Sequence, residues 1–97
     1  MFAIAVNVQF QTGKIDEASR IVEESFVPAL KEQKGFKAHL FLTQPDTGKA
    51  IALNLWESEE DQLAFAASPI YRELMGKLAG TIAATPVNAG YEVSVQA

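Results

Sequence analysis

One histidine, His39, one tryptophan, Trp56, and no cysteine make up the chain's rarest reactive inventory. An imidazole at His39 can act as a general base or contact a ligand, because its neutral form keeps one bare ring nitrogen. It can equally be a partly exposed strand histidine bonded to an amide. The Trp56 ring can stack on a flat aromatic ligand, or anchor packing between a strand, a helix and a partner. Asn7, Asn54 and Glu92, with Phe41, are read onto the same mixed strand face as His39. Amides there can hold a carbonyl or an oxyanion, and amides in a partly hydrated dimer interior give the same pattern. Arg72 could meet an acid group at a pocket mouth, although such a residue is commonly a solvated surface charge. A metal centre lacks ligands, since most need several His, Cys or carboxylate donors. No glycine-rich phosphate fingerprint occurs: Thr47-Gly48-Lys49 is a turn and Gly13 an isolated turn glycine. No cofactor or metal is therefore expected.

These residues must be positioned by strands and helices. Residues 2–10 alternate, with Phe2, Ile4, Val6, Val8 and Phe10 on one side and Ala3, Ala5, Asn7 and Gln9 on the other. Lys14 to about Lys34 has helical spacing, with Ile15, Ala18, Val22, Phe26, Ala29 and Leu30 in one stripe. Pro28 removes a donor and crowds the Glu24 carbonyl, which costs about 3 kcal/mol or kinks the helix. A kink is expected, with Gly35 as the stop. Phe36–Gln44 and Lys49–Glu57 read as strands joined by the turn Pro45-Asp46-Thr47-Gly48. If Gln44 opposes Lys49, then Leu42 opposes Ile51, Leu40 opposes Leu53, His39 opposes Asn54 and Lys37 opposes Trp56. A one-residue slip would mix the faces.

Ser58 followed by Glu59, Glu60 and Asp61 reads as a capped helix start. Ser68-Pro69 restarts the helix, with Ile70, Leu74 and Leu78, joined by Tyr71 and Met75, on its buried side. Gly80 ends it. Thr81–Ala89 reads as a loop and Gly90–Gln96 as the last strand, with Tyr91, Val93 and Val95 on its apolar side. The order β-α-β-β-α-β defines an α+β fold, a ferredoxin-like four-stranded antiparallel sheet, in a single domain over residues 1–97.

Two helical segments can cover only one face of such a sheet. The expectation is that they take the continuous apolar side, and that the mixed side with His39, Phe41 and Trp56 meets a second copy. The partner so implied is the chain itself, as a homodimer enclosing space for a ligand.

Composition narrows the classes. The 97 residues are 48% hydrophobic and 21% charged, with net charge −4, which suits a globular domain. At this size roughly two-thirds of the unfolded surface is hidden, so a partner adds stability. A pI of about 4.8 argues against nucleic acid and against a polybasic membrane contact. The absence of cysteine is compatible with a reducing compartment. The N-terminal run lacks a basic leader, and no stretch approaches the ~18 apolar residues of a span. The expected location is cytoplasmic.

Three segments carry a family likeness. Phe26-Val27-Pro28-Ala29-Leu30 followed by Gly35-Phe36, then Leu55-Trp56-Glu57-Ser58, then Ser68-Pro69, resemble in order and spacing the antibiotic-biosynthesis monooxygenase-like family. The likeness spans the chain. It implies a dimeric α+β barrel, built from two ferredoxin-like subunits with their sheets face to face. It also implies several activities. Some members oxidise aromatic polyketides or quinols with dioxygen and no cofactor, some degrade haem, and some have no known reaction. The haem-type positions fall on Val6, Phe65 and Met75, so the iron-binding histidine is missing. The polyketide-type positions fall on Ala52, about Gln62 and about Met75, and the quinol-type histidine position falls on Ile70.

The resemblance therefore implies a cofactor-independent, monooxygenase-like protein acting on a small phenol, quinol or anthrone. In that reading His39 and Asn54 assist proton removal, and Trp56, Asn7, Phe41 and Glu92 contact the ligand. The alternative is a non-catalytic small-molecule-binding or accessory homodimer that kept the fold and lost the reactive set.

Overall fold

The computed structural model describes residues 1–97. Strand β1 spans Phe2–Gln9, β2 Phe36–Gln44, β3 Lys49–Trp56 and β4 Val87–Glu92. They form one antiparallel sheet in the order β2-β3-β1-β4. Helices α1 (Ile15–Ile21) and α2 (Val27–Lys31), with a π-helical turn at Val22–Phe26 between them, connect β1 to β2. Helices α3 (Glu59–Ala66) and α4 (Pro69–Leu78) connect β3 to β4 through a short 3₁₀ turn at Ala79–Thr81. This is the split β-α-β arrangement expected from the sequence.

The hairpin register is as expected from Gln44↔Lys49 through His39↔Asn54. It departs at the start of β2. A bulge between Phe36 and Ala38 sets Phe36, not Lys37, opposite Trp56. The extra residue turns Phe36 to the helix-covered side, where its ring meets Trp56 edge-on at 5.8 Å. Lys37 is left outside, 3.1 Å from the Glu57 carboxylate.

The larger correction concerns which face the helices cover. Ile4 pairs with Asn54, which pairs with His39; Val6 pairs with Ala52, which pairs with Phe41. Directly opposed residues share a face, so the apolar side of β1 lies with the mixed side of β2 and β3. That combined face is the one beneath the helices. The core joins Phe10, Ala50 and Trp56 of the sheet to Ile15, Ala18, Val22, Phe26, Leu30, Phe65, Leu74 and Leu78 of the helices. The reason is volume. The helices supply large side chains, and Ala50 and Ala52 leave room for them, whereas a sheet face of Leu and Ile would overfill the layer. The Leu and Ile side, with Leu40 50%, Leu42 49% and Ile51 37% exposed, is left open.

Pro28 is accommodated by the π turn. The Val27 N–H reaches back five residues to the Val22 carbonyl, so the hydrogen-bond ladder shifts just before the residue that has no N–H to give. The buried stripe Val22, Phe26, Leu30 continues through it. In α3 and α4 the caps are those expected. Ser58 Oγ accepts from the Asp61 N–H at 3.2 Å, and Ser68 Oγ accepts from the Tyr71 N–H at 3.3 Å. Leu74 and Leu78 are buried, Tyr71 and Met75 half-buried, and Ile70 is exposed rather than buried. The helical period brings positions 71, 74, 75 and 78 to one side and leaves 70 at its edge.

Strand β4 begins earlier than expected, at Val87 rather than Gly90, because β1 pairs with it from Asn7↔Val87 to Phe2↔Glu92. After the Val93 N–H donates to the Met1 carbonyl at 2.9 Å, the partner strand ends. Val93 and Val95 therefore lie beyond the strand, and Val95 is 88% exposed.

Gly35 adopts a φ of 81°, and a Cβ there would overlap the Asp61 carboxylate. Both facts demand glycine. Gly35→Ala should lower stability by about 1–3 kcal/mol in urea unfolding. Removing the clash with Asp61→Ala in the same chain should recover part of that loss, the remainder being the backbone term. A neutral Gly35→Ala would contradict this packing.

Candidate active site

A cavity lies between the sheet and the helices. Thirteen of its fifteen lining residues are hydrophobic; the other two are His39 and Asn54. Val6 and Val8 of β1, Phe41 of β2 and Ala52 of β3 form the floor. Val22, Phe26 and Leu30 come from the first helical segment, and Phe65, Tyr71, Met75 and Leu78 from the second. Ala52 sets the depth, since its small side chain faces the helices between larger neighbours. The void measures about 60 Å³.

His39 and Asn54 are directly opposed on β2 and β3, so their side chains meet on the cavity side. His39 Nδ1 hydrogen-bonds the Asn54 side-chain oxygen. An amide oxygen only accepts, so Nδ1 carries the proton and donates. In the neutral ring Nε2 is then bare. It is buried and has no hydrogen-bond partner in the protein. A buried polar atom without a partner is costly, and at a cavity wall it is the feature a ligand satisfies. Tyr71 supplies the third polar group. Burial raises its phenol from the ordinary 10.0, so it remains a protonated hydrogen-bond donor.

The other residues singled out from the sequence are not gathered here. Trp56 is 1% exposed and lies in the core outside the cavity lining, its ring against Phe36 and, at 5.5 Å, against Phe65. Asn7 does not share a face with His39. It belongs to the outer side of β1, opposite Ile51, and its amide donates to the Val87 carbonyl at 3.5 Å. The cause is the register, which puts Ile4 and Val6 with His39 and sends Asn7 the other way. Glu92 has the right face but sits at the exposed end of edge strand β4, opposite Phe2. It borders a surface recess with Glu57 and Glu59 rather than the cavity. Arg72 is exposed. Among the expected ligand contacts only Phe41 lines the cavity, beside His39 and Asn54.

Tyr71 and Met75 belong to the site and were read from the sequence only as helix packing. Their signal was the spacing from Ser68-Pro69, which fixes the phase of α4. No group of three or more His, Cys, Asp or Glu side chains converges as a metal site would.

Comparison with solved structures gives the fold a class. No protein-family model matches the sequence, and no curated protein matches it. A candidate antibiotic biosynthesis monooxygenase from Bordetella bronchiseptica superposes with a TM-score of 0.87 at 12% identity, covering 97% of each chain. A candidate of the same kind from Caulobacter crescentus gives 0.84 at 13% identity, over 97% of this chain and 90% of the other. SnoaB, a cofactor-independent oxygenase from Streptomyces nogalater, gives 0.82 at 12% identity, over 98% and 94%. This chain therefore has the antibiotic biosynthesis monooxygenase-like fold, over nearly its whole length.

The half-buried His39–Asn54 bond should be measurable as coupling. His39→Ala and Asn54→Ala each strand the other side chain's polar atom, at about 1–3 kcal/mol apiece. The double variant should cost less than the sum of the singles in urea unfolding. Strict additivity would mean that the two side chains do not interact.

Proposed function

We propose that this chain is a cofactor-independent, monooxygenase-like enzyme acting on a small aromatic hydroxyl compound. The observation that carries the reading is His39 in the lining of an apolar cavity, with Nδ1 bonded to the Asn54 side-chain oxygen and Nε2 buried without a partner in the protein. The fold shared with a cofactor-independent oxygenase supports it.

The chemistry follows from the electron source. A phenol is a poor reductant of dioxygen, while its anion gives up an electron far more readily. His39 Nε2 takes the phenolic proton, and the resulting imidazolium is held by the Asn54 oxygen at Nδ1. The Tyr71 hydroxyl is available to hydrogen-bond the phenolate oxygen. The anion transfers one electron to dioxygen, giving a phenoxyl radical and superoxide. These combine at a ring carbon bearing hydrogen to form a C–O bond, and the resulting peroxide anion takes the proton back from the His39 imidazolium to become C–OOH. Loss of that hydrogen with cleavage of the O–O bond releases water and leaves a quinone. One dioxygen is consumed; one of its atoms enters the product and one leaves as water. The apolar wall excludes bulk water from the radical pair.

We also infer that the open sheet face meets a second copy of the chain. Leu40, Leu42, Ile51, Val87 and Tyr91 are exposed there, a larger apolar display than scattered surface residues provide. No helix is long and apolar enough to cross a membrane.

Two measurements test these readings. Purified protein should consume oxygen with hydroquinones or other single-ring phenols in proportion to enzyme, above autoxidation. His39→Gln should lower that rate by ~10²–10⁴-fold. No uptake by folded protein that binds the compound would contradict catalysis and leave a binding protein. Light scattering at micromolar concentration should give a dimeric mass, and Leu42→Lys should shift it toward monomer; a monomeric wild type would overturn the dimer.

A further inference from the structure

The cavity's charge and size set what can enter it. None of the chain's lysines, arginines, aspartates or glutamates lines it. A carboxylate or phosphate brought inside would lose its hydration and find no permanent counter-charge, since His39 would balance it only after taking up a proton from solution. A neutral phenol enters without that penalty, because its charge forms only after entry, together with the imidazolium that balances it.

Size adds a second restriction. An apolar pocket of ~150 Å³ holds a benzene ring, and this void is about 60 Å³. A single ring therefore enters only if the wall yields. Met75, an unbranched and half-buried side chain, is the part of the wall suited to yield. Phe26, Leu30 and Phe65 are fixed in the core. A fused tricycle would have to displace these core residues as well.

We propose that the site selects neutral, single-ring phenols and rejects both anionic analogues and fused tricyclic ones. This rests on the cavity being the ligand site of the preceding reading, and its test uses binding without turnover.

Equilibrium dialysis under anaerobic conditions compares four probes on the wild-type protein: hydroquinone, 2,5-dihydroxybenzoate, the methyl ester of that acid, and 1,8-dihydroxyanthrone. Hydroquinone and the ester should bind. The acid should bind at least ~100-fold more weakly than its ester, which has more bulk and no charge. The anthrone should bind more weakly than hydroquinone. Ala52→Leu, confirmed folded by circular dichroism, should weaken hydroquinone by ~10-fold or more by filling the floor.

The acid binding within ~10-fold of its ester, the anthrone binding tighter than hydroquinone, or no probe binding at all would each overturn the proposal. So would unchanged hydroquinone binding by folded Ala52→Leu. Binding with the expected selectivity but no oxygen uptake would leave this inference standing and sink the oxygenase reading. Efficient oxidation of the acid would do the reverse.

Discussion

The strand register across β1, β3 and β2 is the constraint on which the rest depends. Ile4 opposite Asn54 opposite His39, and Val6 opposite Ala52 opposite Phe41, decide which face the helices cover. Because a one-residue slip turns every side chain over, this pairing alone separates two different proteins. In the observed register His39 and Asn54 lie half-buried on the helix-covered side and line the cavity with Phe65 and Leu30. In the slipped one they would stand on the open face. The alanines at 50 and 52 are the complement of that choice, since they leave the space that the large residues of the helices fill. Where the filling is incomplete, the cavity remains.

Several features work against helix regularity around that space. Pro28 removes a donor from the helix that forms one wall, and the π turn at Val22–Phe26 absorbs the disruption while keeping Val22, Phe26 and Leu30 on the inner side. The bulge at the start of β2 swings Phe36 inward to close one end against Trp56. Trp56 then supports Phe65 from behind, and Phe65 meets Tyr71 edge-on at 5.4 Å. Trp56 is thus one layer removed from the cavity, with the Phe65 ring between them.

Element order, the hairpin register from Gln44 to His39, and both serine caps were legible because each rests on local signals. Alternation, turn chemistry and Ser-Pro pairs act over a few residues. The His39–Asn54 pairing followed from the hairpin for the same reason. What could not be read was how β1 aligns with β3, a contact between distant segments. Without it the more apolar face looked like the covered one, and Asn7 was grouped with His39. The bulge at Lys37 and the early start of β4 were hidden likewise, since they depend on which strand lies alongside. Tyr71 and Met75 were seen as helix packing, because periodicity reports that a residue faces inward and not that a space remains there.

The central claim is that His39 presents a bare Nε2 to the cavity while Nδ1 is held by Asn54. Nitrogen-15 NMR of the imidazole tests it directly, and the single histidine makes the assignment unambiguous. In mildly alkaline, anaerobic buffer the account predicts a protonated Nδ1 and an unprotonated Nε2, with the Nε2 resonance moving as hydroquinone is added. A ring protonated at Nε2 and bare at Nδ1, or an Nε2 signal indifferent to the ligand, would contradict it.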